Sequence, residues 1–274
     1  MTRRRAILLG FAMSGTAKAA GPDQPAVTWN PHPLFVGAPV LFRTTAYSGS
    51  ATWLDKQIEF RKDTDDTFSA LAGVGLDRAP GTYPLVFNGQ TVEVAVKARR
   101  YPSSTITVPP KFVEPPPEVQ ARIDEERAIK RAAFNASPAD RLWSGPFTAP
   151  TNAGYTSSFG VRRIYNGKTQ STHQGLDYSA PMGTEIKAAN TGRAVIVHDM
   201  YFEGGLIVID HGDSIFTLYM HLSEFLVKEG AAVAKGQRIG KSGASGRVTG
   251  PHLHFALQWR GLYLEPSTLL HLWT

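Results

Sequence analysis

Residues 248–259 read VTGPHLHFALQW. A Gly-Pro turn leads into an apolar stretch in which His252 and His254 are separated by a single leucine. In a strand, side chains at i and i+2 leave the same face. An extended reading therefore sets the two imidazoles side by side and turns Leu253 and Phe255 the other way. Two neutral imidazoles make a poor core and a good start to a metal site.

A carboxylate to go with them lies upstream, in THQGLDYSAPMG at residues 172–183. His173 and Asp177 are four apart, an even spacing that suits one face of a strand as well as one face of a helix. Gly175 inside the segment and Pro181 just after it argue for the strand. One histidine from 252–254 would complete a set of two nitrogen ligands and one oxygen ligand. Three protein ligands leave a fourth position for water, the arrangement of catalytic rather than structural zinc, where bound water is acidified toward neutral pH. His221, in LYMHLS, and the unused histidine of the 252–254 pair remain for proton transfer. The chain has no cysteine, so disulfides and thiolate ligands are excluded and any metal must take imidazole and carboxylate.

The 274 residues suggest about two domains. At the N-terminus, Arg3, Arg4 and Arg5 precede the apolar run AILLGFAM (6–13), and Ala17-Lys18-Ala19 offers a cleavage site before Ala20. These are the three parts of a signal peptide in order, with a run too short to span a bilayer. Residues 1–19 are read as that leader, with the arginines also permitting a twin-arginine route, and no later stretch reads as a membrane span. Cleavage would remove the positive charges of Arg3, Arg4, Arg5 and Lys18, and +6 − 4 leaves +2. The sequence pI of about 9.5 is therefore weak support for nucleic-acid binding, and none is expected.

Residues 20–108 are expected to be a small β-sandwich, from short strand-like runs such as 39–47, 56–60, 82–87 and 90–98 and an Asn-Gly hairpin signal at 88–89. Trp29, Tyr47 and Trp53 are its candidates for stacking on sugars. Residues 109–140 open with five prolines (109, 110, 115, 116, 117) and continue as a charged helix over roughly 118–134. This segment reads as a stiff connector whose charges form a solvated face. Residues 141–274 are rich in glycine and short strands and are expected to form an antiparallel β domain. The fold class is thus mostly β, with a helical connector.

At this point a resemblance covers residues 155–266. His173-x-x-x-Asp177 and His252-Leu253-His254, with SSFGVRR (157–163), VIDHGDS (208–214), YMHLS (219–223) and SGRVTGPHLHFAL (245–257), resemble the M23 zinc metallopeptidases of the lysostaphin and LytM type. Residues 26–100 resemble the β-sandwich that precedes the peptidase domain in some members. The resemblance implies a Zn2+ ion held by His173, Asp177 and His254, with His221 and His252 as the catalytic histidines. It implies endopeptidase action on the peptide stems of peptidoglycan, and so an exported protein, periplasmic or associated with the cell envelope. A monomer is expected. All five positions are filled, unlike degenerate members that have lost ligands and activate amidases. A cell-wall-binding activator of a murein amidase is nevertheless the alternative.

Other readings are weaker. A cupin would want its carboxylate after the H-x-H pair, whereas Asp177 comes long before it. No H-E-x-x-H occurs, which excludes the helical zinc proteases. VKEGAAVAKGQRIGKSG has the glycine spacing of biotinyl and lipoyl carrier hairpins but lacks their lysine motif. His32 reads as a loop residue, His198 and His211 as structural, and His271 as uninvolved. Arg162 is expected to pin a loop rather than line a groove. Tyr201, Phe202, Gly204 and Gly205 are expected to form a loop and a groove wall. The cross-link is expected to be direct, between D-alanine and a diamino acid, rather than a glycine bridge.

Overall fold

The computed structural model describes residues 27–45, 49–63 and 67–274. The leader expected at 1–19 and the stacking candidate Tyr47 lie outside the described residues. Among the described residues no helix is long and apolar enough to cross a membrane.

The N-terminal part is built from two small sheets. One has the order Thr28–Asn30, Pro39–Thr44, Phe68–Gly73, Arg61–Lys62; the other Leu34–Phe35, Gln90–Lys97, Gly81–Phe87, Ser50–Trp53, Lys56–Glu59. In Gly81–Phe87 and Gln90–Lys97, Leu85, Phe87, Val94 and Val96 are buried while their neighbours are exposed. This is the period-two pattern of strands with one wet face. Asn88 and Gly89 between them take φ of 51° and 71°, as a two-residue type I′ hairpin requires. The buried faces meet through Phe42 and Trp53, with ring centroids 5.2 Å apart. Trp53 is thus fully buried, and it is unavailable for stacking on a sugar. Trp29 is half-buried, its ring 5.0 Å from that of His32.

The C-terminal part holds a ten-stranded sheet and a separate three-stranded one of order Ser103–Ile106, Arg162–Tyr165, Thr169–Thr172. The larger sheet positions the metal centre. Its main path runs Tyr155–Ser157, Leu176–Tyr178, Leu253–Trp259, Ile215–Phe225, Gly204–Asp210, Gly192–Met200, Ala232–Val233, and every pair in it is antiparallel. All seven residues of Leu253–Trp259 are buried, because both faces of the sheet are covered. Leu253, Phe255 and Leu257 join a core that is continuous with the sandwich interior. Ala256 lies on the other face with Leu206, Val208, Phe216, Leu218 and Met220, beneath Ile129, Ala133 and Phe134 of the helix.

That helix, Gln120–Asn135, follows Pro116 and Pro117, as proline at a helix entrance allows. It is not simply a solvated connector. Glu126 is buried and accepts from Arg122 Nε (2.7 Å) and from the Tyr201 backbone N–H (2.9 and 3.0 Å). The chain leading to the helix is bound down as well. Ser103–Ile106 pairs in parallel with Arg162–Tyr165, Val108 and Asn166 exchange two hydrogen bonds of 2.9 Å, and Tyr201 Oη donates to Lys111 O at 2.7 Å. The proline-rich stretch is therefore strapped along the sheet rather than spanning a gap.

Candidate metal centre and its cleft

Strand register assembles the centre. Asp177 and His254 are directly paired across Leu176–Tyr178 and Leu253–Trp259, and directly opposed residues share a face. His173 stands just before the first of these strands. Its N–H donates to Val161 O and its carbonyl accepts from Gly160 N–H, both at 2.8 Å. Gly175 lies so close beneath His254 that a Cβ there would meet the ring Nε2 at 2.5 Å, so only glycine admits the imidazole.

Three atoms converge. Asp177 Oδ1 is 2.9 Å from His173 Nε2 and 2.8 Å from His254 Nδ1, and the two nitrogens are 3.0 Å apart. His173 Nδ1 lies 2.7 Å from Ser158 O. A carbonyl can only accept, so Nδ1 carries the proton and Nε2 of the neutral ring presents a lone pair. That lone pair faces a carboxylate oxygen. The contact is repulsive unless a proton or a cation sits between them. The donor set therefore fits a metal ion, and its two nitrogens and one oxygen match the ligand chemistry of zinc.

Electrostatics favours the ligating forms. Burial opposes ionisation of Asp177, but positive charge placed between its oxygen and the His173 and His254 nitrogens, as a shared proton or a cation, outweighs it and holds the carboxyl well below the usual carboxylate range. Burial pushes His254 down to about 4, against the pull of Asp177. His221 is likewise pushed well below its ordinary value, first by burial and then by His252 and His254.

The remaining two histidines face the same place. The ring of His252 lies 4.7 Å from that of His221, and its Nε2 is 3.9 Å from Asp177 Oδ1. The His221 ring is 6.1 Å from that of His254. In each, Nδ1 donates to a backbone carbonyl: Gly250 O at 2.8 Å for His252, Ser245 O at 2.9 Å for His221. With the proton on Nδ1, each ring turns its Nε2 away from these carbonyls, open to act as a base. His221 reaches this pose by leaving the strand ladder. Its φ is 65° and its N–H donates to Glu203 O at 2.9 Å. A non-glycine residue in the left-handed region costs roughly 1 kcal/mol or more, a strain that clusters at functional sites.

Residues not singled out from the sequence also line the cleft. Arg163, not Arg162, reaches it: Arg163 Nη2 pairs with Asp177 Oδ2 and donates to Ser157 Oγ at 3.1 Å, while Arg162 is exposed beside Gln170. Adjacent strand residues face opposite ways, so only one of the two can reach Asp177, and the sequence does not say which. Tyr165 and Arg247 line the same cavity as His173, His221 and His254, and no short-range pattern marks them. Phe202 supplies a wall as expected, whereas Gly204 and Gly205 belong to the strand Gly204–Asp210.

The other histidines stay outside the centre. His211 is wholly buried, with Nδ1 donating to Thr191 O and Nε2 accepting from Thr217 Oγ1, both at 2.8 Å. His198 and His271 are exposed.

Residues 171–266 match the model of Peptidase family M23. Over 130 residues the chain is 40% identical to the peptidoglycan DD-endopeptidase ShyA of Vibrio cholerae, covering 47% of this chain and 28% of that protein. Over 117 residues it is 42% identical to ShyC of the same organism, covering 42% and 27%. The chain thus spans little more than a quarter of those relatives. A crystal structure of a candidate M23 peptidase from Pseudomonas aeruginosa superposes with a TM-score of 0.66 at 25% identity, over 86% of this chain and 94% of that one.

Proposed function

We propose that this chain, whose residues 171–266 form a Peptidase family M23 domain, is a zinc-dependent endopeptidase that hydrolyses peptide cross-links of peptidoglycan. The observation that carries the reading is the convergence of His173 Nε2, Asp177 Oδ1 and His254 Nδ1 beside two imidazoles whose Nε2 atoms are open to act as bases. The relatives named as peptidoglycan DD-endopeptidases support the substrate class. Such a substrate lies outside the cytoplasm, so the protein is read as acting in the periplasm or cell envelope.

His173, Asp177 and His254 would hold the ion. When bound, zinc would polarise the scissile carbonyl and lower the pKa of water. His221 and His252 carry the protons. With Nδ1–H tied to a carbonyl, Nε2 of one ring accepts the proton of the attacking water and, once charged, can return it to the leaving amine. Nε2–H of the other, when protonated, can donate to the developing oxyanion. Arg163 orients Asp177 from behind.

The test is hydrolysis of purified cross-linked muropeptides, read by mass spectrometry. The zinc-loaded chain should convert dimers to monomers. His221→Ala and His252→Ala should keep the metal and lose roughly 10²–10⁴-fold in rate, whereas Asp177→Ala and His254→Ala should lose the metal. Full zinc occupancy in the last two would remove them as ligands. Intact dimers with a fully loaded chain, alongside stimulation of a murein amidase, would favour the activator reading instead.

A further inference from the structure

Arg247 lines the cavity of His173, His221 and His254, with its guanidinium carbon 4.6 Å from the ring centre of Tyr165 and 5.0 Å from that of Phe202. The two rings come from segments far apart in the chain, and they hold the guanidinium by cation–π attraction while its N–H edges remain free. The mount is rigid. Arg247 N–H donates to Phe202 O at 2.8 Å, and a Cβ at the preceding Gly246 would strike Gly204 N at 2.4 Å. Two residues earlier, Ser245 O is the carbonyl that orients His221.

The charges around this cavity are otherwise paired. Arg163 is matched by Asp177, and Glu203 by Lys130. Among the described residues Arg247 alone of these has no carboxylate partner and no side-chain hydrogen bond. A planar, preorganised, unpaired guanidinium beside reacting groups is built for a carboxylate.

We propose that Arg247 binds a substrate carboxylate next to the scissile amide and so selects the type of cross-link. The inference rests on the endopeptidase reading. A cross-link through the side amine of a diamino dicarboxylic acid keeps a carboxylate on the carbon that bears the amide nitrogen. An internal bond of a glycine bridge has none. The structure assigns this chain to the former.

Two soluble cross-linked dimers test this, alike except for a carboxylate or a carboxamide on that carbon. They are offered to the zinc-loaded chain and to Arg247→Met and Arg247→Lys. The unaltered protein should prefer the carboxylate by roughly 10- to 100-fold in kcat/KM, as expected for a charge-assisted hydrogen bond. Arg247→Met should abolish that preference, chiefly through KM, with metal content unchanged; Arg247→Lys should restore part of it. No preference in the unaltered protein, or equal loss on both dimers in Arg247→Met, would overturn the proposal. If the fully loaded chain cleaves neither dimer, the endopeptidase reading fails, and calorimetric binding of the two dimers then decides for Arg247. Tighter binding of the carboxylate form, lost in Arg247→Met, sustains its role; equal affinity overturns it.

Discussion

Arg163 meets Asp177 on the side away from the imidazoles, so it fixes which carboxylate oxygen faces His173 and His254. Groups behind a metal ligand typically contribute 10- to 100-fold in affinity. Arg163→Ala should weaken zinc binding by roughly that factor in a chelator competition, and activity should return at high zinc; unchanged affinity would make the pair incidental. His211 acts on stability instead. Its Nε2 accepts from Thr217, whose hydroxyl accepts from Tyr219 at 3.0 Å, whose oxygen accepts from Ala189 N–H at 2.8 Å. A second ring proton would break this one-way chain, and burial holds the pKa down at about 4. Well above pH 7 the ring is neutral folded and unfolded, and it contributes no pH dependence. Below the unfolded value of about 6.5 the unfolded chain takes a proton that the fold refuses, which costs on the order of 2 kcal/mol by pH 5. Denaturant titrations at pH 7 and pH 5 should show His211→Gln losing about 2 kcal/mol less than the unaltered protein between them. An equal loss would assign the acid sensitivity elsewhere.

The helix Gln120–Asn135 joins the covering of the sheet to the wall of the cleft. Phe134 packs on Phe216 with centroids 4.9 Å apart, Glu126 receives the Tyr201 N–H, and Lys130 pairs with Glu203. Its composition is that of a solvated helix, and most of its charges are indeed exposed. The buried Glu126 is the exception, because the turn after Gly192–Met200 leaves Tyr201 with a backbone donor that no strand satisfies. Glu126→Ala strands that donor and should cost about 1–3 kcal/mol. Hydrogen exchange should accelerate at residues 201–203, next to His221. Glu126→Gln keeps an acceptor and should lose less. Unaltered exchange in both would mean that the wall is held from the sheet side alone.

Across the molecule, the sandwich and the ten-stranded sheet share a core. Glu265 N–H donates to Gly37 O at 2.8 Å, Arg99 pairs with Glu265 at 2.5 Å, and Arg141 with Asp63 at 2.8 Å. A Cβ on Gly73 would lie 2.3 Å from the Leu264 side chain, so the two parts meet in close contact at this glycine. A fragment of residues 141–274 would bare Phe216, Leu218 and Met220 on the face that the helix covers and would lose the Ser103–Ile106 edge strand. It should bind a hydrophobic dye and unfold at lower temperature than a fragment of residues 101–274, which keeps both. Equal melting temperatures would show the helix and its strap to be dispensable for folding.

What the sequence determines by itself follows from local spacing. His252 and His254 share a face because strands repeat every two residues. His173 and Asp177 stand only four residues apart, close enough for both side chains to reach one site. The lack of cysteine leaves only imidazole and carboxylate as ligands. These patterns are written within a few residues, so they are legible before any folding. Tertiary structure alone decides that Asp177 pairs in register with His254, that His221 leaves its strand to face His252, and that Arg163 rather than Arg162 backs Asp177. It also brings Arg247 against both Tyr165 and Phe202, rings from segments far apart in the chain. Each of these depends on the approach of segments tens of residues apart, which is set by how two sheets and their loops pack together and not by the periodicity of any single strand.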